Sequence, residues 1–114
     1  MIRTKRIYEP AAPEDGVRML IMRMWPRGVK KERIHEWNRD VAPSKELVMA
    51  FKKHGLPWDE YVARYWAEIR PEAIEALRRR ARTGTITLLC GCEEESRCHR
   101  GLLKAKLATL KRAR

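Results

Sequence analysis

The sequence contains no glutamine and a single asparagine, Asn38. No apolar run approaches the roughly 18 residues a membrane span requires, and the first residues lack the apolar core of a signal peptide. Neither a membrane protein nor a secreted one is expected, and the expected location is cytoplasmic. Cysteine is scarce as well. The three residues, Cys90, Cys92 and Cys98, fall within nine positions, which in an intracellular setting argues against a disulfide framework. No internal repeat or low-complexity linker divides the chain. Residues 1–114 therefore read as a single domain, long enough to bury one ordinary core.

Charge, by contrast, is abundant. Lys and Arg number 26 against 15 Asp and Glu, for a net charge of +11. Such a field attracts nucleic acid, nucleotides or acidic partners. The shortage of Asn and Gln beside 36% charged residues is also the composition of a heat-adapted protein with surface ion-pair networks. Those networks account for many of the charges but not for the positive excess.

The stretch around which the rest is organised is Thr85–Cys90. It is β-branched and apolar, carries no charge, follows Gly84 and stops at Gly91. A short apolar run between breakers fits a strand buried on both faces. Further on, Leu103, Leu107 and Leu110 recur at helical spacing with Leu102 beside them, while Lys104, Lys106, Lys111 and Arg112 fall elsewhere. This predicts an amphipathic helix over Gly101–Arg112, basic at its C-terminal end. Cys98, His99 and Arg100 would stand at or near its N-terminus, where free backbone N–H groups favour anions and lower the pKa of a thiol. Cys90, at the strand end, reads as a small core residue.

Leu88-Leu89-Cys90 followed by Cys98-His99-Arg100 resembles the C-terminal signature of the domain-of-unknown-function 488 family, in particular its YeaO-like branch. Arg23-Met24-Trp25-Pro26-Arg27-Gly28-Val29 and Ala42-Pro43-Ser44 resemble that family's other recurrent stretches, and the likeness runs from about Ile2 to Leu110. The resemblance implies a small cytoplasmic α/β protein and implies no activity. Cys92 is not part of the family pattern.

Taken in order, Ile2–Tyr8 alternates as a charged edge strand, and Pro10, Pro13 and Gly16 mark a loop. Val17–Trp25, with the apolar run Met19–Met22, reads as a central strand ended by Pro26. Ile34, Trp37 and Val41, spaced by three and four, suggest a short helix or turn laid on the core, with His35 an exposed histidine. Ser44 is a good N-cap for a helix that carries Leu47, Val48 and Phe51 and stops at Gly55. Pro57 opens a second helix with an apolar stripe of Trp58, Tyr61, Val62, Tyr65, Trp66 and Ile69, which reads as core. Pro71 opens a third, acidic early and arginine-rich late, ended by Gly84. The expected architecture is a small single α/β domain. It has a mostly parallel sheet, a helical crossover and a C-terminal helix packed on the sheet.

The long crossover makes Val17–Met24 and Thr85–Cys90 parallel neighbours. Ligands of open α/β sheets bind beyond the carboxyl ends of such strands. That places Arg23, Trp25, Arg27 and Gly28 opposite Cys90, Cys98, His99 and Arg100. The first functional expectation is a pocket for a small anion, with Arg23, Arg27, Gly28 and Arg100 as its grip. In it Cys98 would be a reactive thiol and His99 a proton carrier. The phosphatase spacing of cysteine and arginine six apart is absent: Cys90 plus six is Ser96, and Cys92 plus six is Cys98. A second reading takes Cys90, Cys92, Cys98 and His99 as a zinc site, against which stands their unusual spacing, so no metal ligand is assigned. A third takes the basic surface as a non-enzymatic nucleic-acid-binding module, whose binding would weaken steeply with salt and survive Cys98→Ala. The anion reading predicts loss at any salt on Cys98→Ala or Arg27→Ala. Cofactor, reaction and oligomeric state are not readable from the residues.

Overall fold

In the computed structural model the backbone is described for residues 1–112 and the side chains for residues 1–108. The described elements are β1 (Ile2–Arg6), β2 (Val17–Leu20), β3 (Glu36–Trp37), α1 (Lys45–Lys53), α2 (Trp58–Glu68), α3 (Pro71–Arg82), β4 (Ile86–Cys90) and α4 (His99–Arg112). The strands lie in the order β1-β4-β2-β3, and every pair is parallel. Leu88 pairs with Thr4 of β1 on one side and Met19 of β2 on the other. β4 is central and buried along its whole length, and β1 is an edge, both as the sequence predicts. No helix among the described residues is long and apolar enough to cross a membrane.

Alternation along β4 divides the core. Ile86, Leu88 and Cys90 join Met19 and Ile21 on one face, where α1 to α4 pack through Leu47, Tyr61, Tyr65, Ile74, Leu77 and Leu103. Leu89 joins Leu20, Ile7 and Val29 on the other, covered by Trp25, Ile34 and Trp37. Each aliphatic side chain fully buried here contributes about 1.5–3 kcal/mol, and the helical face holds most of them. The aromatic stripe of α2 is core, as read: Tyr65 is wholly buried and its Oη donates to the Val41 carbonyl at 2.8 Å. Ser44 caps α1 by accepting from the Leu47 N–H at 3.1 Å. The side chains of Leu110, Lys111 and Arg112, invoked for the amphipathic face of α4, lie outside the described residues.

Two local expectations need correction. β2 stops at Leu20, not Trp25. The Ile21 N–H still reaches the Leu89 carbonyl at 3.1 Å, but the carbonyls that follow are taken by side chains: Ile21 O by His99 Nε2 at 2.6 Å and Met22 O by the Trp37 indole N–H at 2.7 Å. A strand whose acceptors are claimed by side chains cannot extend its ladder. The segment expected to lay Ile34, Trp37 and Val41 on one face instead contains β3, with Met19 paired to Glu36 and Leu20 to Trp37. Val41 then belongs to the helical face of the core, and Ile34 and Trp37 to the other. His35 is exposed, as expected, yet its Nδ1 accepts the Arg18 N–H at 2.8 Å and so extends the edge pairing.

Candidate functional site

The site grows from the end of β4. Residues two apart on extended chain share a face, so Cys92 follows Cys90 to the helical side. The chain then returns through a single 3-10 turn, Glu95–Arg97, and Cys98 stands in extended conformation immediately before α4. Its N–H is bonded to the Glu95 carbonyl at 3.2 Å, and its thiol points into the core. The return is tight: a Cβ on Gly101 would lie 2.4 Å from the Glu95 carbonyl oxygen. Gly101→Ala is therefore expected to lower stability by about 1–3 kcal/mol through overpacking, read as a shift of the urea midpoint. An unchanged midpoint would mean that the turn yields freely.

The three sulfurs lie within 4.8 Å of one another, and Cys90 Sγ and Cys92 Sγ are 3.7 Å apart. At such separations the protonation of each thiol depends on the other two. Cys98 is 1% exposed, and its pKa is pushed far up because its single thiol proton is held against Cys90, the larger influence, and Cys92, with burial adding to both. Cys90 is pushed up mainly by donating to Cys92. Cys92, half-buried, is pulled down because it accepts from Cys90 and Cys98, with Lys52 and His99 nearby, against the opposing effect of burial. The lowered thiol pKa expected at Cys98 has no support there, and of the three it is Cys92 whose thiolate the neighbouring thiol donors favour. The helix-start argument fails at Cys98 because its N–H is already bonded and its sulfur is turned away from solvent.

His99 is buried and held neutral, its pKa lowered to about 4 chiefly by desolvation, against the pull of its bond to Ile21. A carbonyl can only accept, so Nε2 carries the proton donated to Ile21 O, and Nδ1 presents its lone pair 3.8 Å from Cys98 Sγ. Arg100 is buried too. Its Nη1 donates to Cys92 O at 2.7 Å and Cys90 O at 3.4 Å, and its Nε has no partner among the described residues. No carboxylate among them pairs with it.

A pocket of about 210 Å³ opens on the cluster. Cys90, Cys92 and His99 line its floor, Tyr61 and Phe51 one wall, and Arg23, Lys45, Lys52 and Arg97 supply cations. Of the residues singled out in the sequence, Arg23, Cys90, Cys92 and His99 are brought together here, and Arg97 joins them. Cys98 lies beneath, within the sulfur cluster. Arg23 spends part of its donor set on Ala42 O at 2.9 Å and Pro43 O at 3.4 Å. Trp25, Arg27 and Gly28 do not line this pocket. Trp25 packs with Trp37 and Val29 on the opposite face of the sheet, Arg27 is exposed, and Gly28 turns the chain at φ +79° with nothing near its missing Cβ. The parallel pairing holds, but the chain crosses to the other face after Met24. Lys45, Met49 and Lys52 also line the pocket and carry no mark in the sequence, and Tyr61 is marked there only as part of the apolar stripe of α2. Period-two spacing was the available signal for Cys92. No local signal marks the α1 residues.

Comparison with known proteins agrees with this chain-wide pattern. The chain is 34% identical over 113 residues to the uncharacterized protein YeaO of Escherichia coli K12, covering 96% of this chain and 98% of the relative. It is 35% identical over 105 residues to uncharacterized proteins of Mycobacterium tuberculosis and Mycobacterium bovis, covering 90% of this chain and 89% of each relative. No solved structure matches it. Residues 2–111 match the family described as the active DUF488-N3 subclade, and the chain belongs to the domain-of-unknown-function 488 family.

Proposed function

We propose that the protein holds a thiophilic metal ion on Cys90, Cys92 and Cys98 and takes a small anion in the pocket above it. The observation that carries this reading is the mutual approach of three thiol sulfurs within 4.8 Å, two of which, Cys90 and Cys92, line a pocket that also carries Arg23, Lys45, Lys52 and Arg97. With metal–sulfur bonds of about 2.3 Å, tetrahedral sulfurs stand roughly 3.8 Å apart, and Cys90 and Cys92 are already at 3.7 Å. Three protein ligands leave a position open, as in metal sites that bind exchangeable groups. His99 Nδ1 or an anion held by Arg23, Lys45, Lys52 and Arg97 would fill it. The pinned Nε2 of His99 is the kind of second contact that orients a metal ligand. Arg100 supports the same reading, because a buried guanidinium without a carboxylate calls for another anion, and a thiolate cluster supplies one.

The test is alkylation of each cysteine, mapped by mass spectrometry on protein whose metal content has been measured, with and without a chelator. The expected result is one equivalent of metal per chain, inert thiols, and Cys92 reacting first once the ion is removed. Metal-free protein in which Cys92 alkylates fast at neutral pH would replace the metal reading with that of a free reactive thiolate. Metal-free protein with three inert thiols would sink both and turn attention to nucleic acid at the basic surface.

A further inference from the structure

Resting on the metal-centre reading above, we infer that the ion is a soft monovalent one, Cu(I), and that the methionines of the pocket select it over Zn(II). Two observations lead there. The first is the donor set. Met22, Met24 and Met49 line the same pocket as Cys90 and Cys92, and Met24 is 65% exposed at its rim. Thioethers are ligands for Cu(I) and poor ones for Zn(II), magnesium or calcium. No carboxylate among the described residues lines the pocket, which removes the donors that hard cations need. Five of the residues that line the pocket, Met22, Met24, Met49, Cys90 and Cys92, therefore carry sulfur.

The second observation is charge. Binding proceeds by ligand exchange: three metal–sulfur bonds form as the bonds from copper to its incoming ligands (acetonitrile in the test below) break and those ligands leave, the cysteines that still carry protons give them to water, and copper stays in the +1 state. Three thiolates and Cu(I) leave a net charge of −2, whereas Zn(II) leaves −1. The surroundings are strongly cationic, with Arg23, Lys45, Lys52 and Arg97 on the pocket and Arg100 buried against the Cys90 and Cys92 carbonyls. Opposite charges at short range favour the more anionic complex. The same cations oppose the entry of a divalent ion more strongly than that of a monovalent one.

The experiment is an anaerobic titration of the full chain with Cu(I), supplied as its acetonitrile complex, in competition with bicinchoninate. Zn(II) is titrated in parallel against a chromophoric chelator. The variants are Cys92→Ser, Met22→Leu and Met49→Leu. Methionine to leucine nearly conserves volume and costs the fold less than about 1.5 kcal/mol, so a change in binding is not a change in folding. Expected are one Cu(I) per chain and a loss of both ions in Cys92→Ser. The methionine variants should lose about tenfold in Cu(I) affinity with Zn(II) affinity unchanged. If Zn(II) and Cu(I) both bind and the methionine variants weaken neither, or weaken both alike, selection by the methionines is wrong while the metal centre stands. If neither ion binds the wild-type protein, the metal centre falls as well.

Discussion

Replacing Asp15 by alanine is expected to destabilise the protein by about 3–5 kcal/mol, the cost of removing one partner from a buried charge cluster. Asp15 is wholly buried and Arg18 nearly so. The carboxylate accepts from Lys5 Nζ at 3.1 Å, from the Ala12 N–H at 3.0 Å and from Arg18 Nη1 at 2.5 Å. Its backbone carbonyl accepts from Thr87 Oγ1 at 2.7 Å, which ties the cluster to the central strand. Without the carboxylate, the Arg18 guanidinium stays buried with, among the described residues, only the Arg33 carbonyl at 2.7 Å as partner. The same group sets an acid limit. Burial, the largest single influence, raises the Asp15 pKa, but the hydrogen bonds from Lys5, Ala12 and Arg18 together outweigh it and hold the group at about 2, below its ordinary 3.8. A carboxylate depressed in the folded state contributes its full stability above the unfolded pKa and loses it as pH falls through the folded one. Asp15→Asn should therefore lose most at neutral pH and progressively less between pH 4 and 2. Urea unfolding at a series of pH values reads both effects. A variant within about 0.5 kcal/mol of wild type at pH 7, as for an ordinary surface position, would show that the cluster contributes nothing net.

Arg100→Met is expected to separate the site from the fold. The substitution removes two hydrogen bonds to the Cys92 and Cys90 carbonyls, each worth about 1.5–3 kcal/mol with a charged donor. It also removes a buried cation whose desolvation costs several kcal/mol. These terms oppose one another, so the metal-free protein should change by no more than about 2 kcal/mol. Metal binding lacks that cancellation, because the thiolate cluster loses its buried counter-charge. Unit charges at short range in an effective dielectric near 20 interact by a few kcal/mol, so metal affinity should fall about a hundredfold. Arg97→Ala, on the exposed rim, should fall far less because water screens it. Equal losses in the two variants would mean that Arg100 acts as one more surface charge. An unchanged affinity in Arg100→Met would remove its role altogether.

Much of the architecture was legible because its signals are local. Thr85–Cys90 reads as a doubly buried strand from an unbroken apolar run between two glycines. Ser44, Pro57 and Pro71 mark helix starts through capping chemistry and the proline ring, and the α2 stripe announces its buried face by spacing alone. The parallel β2–β4 pair follows from the length of helical chain between them. β3 was missed because two residues carry no period. The end of β2 was misplaced because its ladder is cut off by His99 and Trp37, from elsewhere in the sequence.

The candidate site divides along the same line. By itself the sequence put Cys90, Cys98 and His99 at the carboxyl end of a buried strand, because chain connectivity brings the start of the last helix back to that end, and it left Cys92 to the zinc reading. Only the tertiary structure decided what each group does. Cys98 faces inward and Cys92 receives the proton donors. Arg100 turns to two carbonyls, and Trp25, Arg27 and Gly28 pass to the far side of the sheet. The physical reason is that a side chain's direction at a strand end, and the charge it then meets, depend on what packs against it. At this site that packing comes from α1 and α2, some 30 to 50 residues away in the chain.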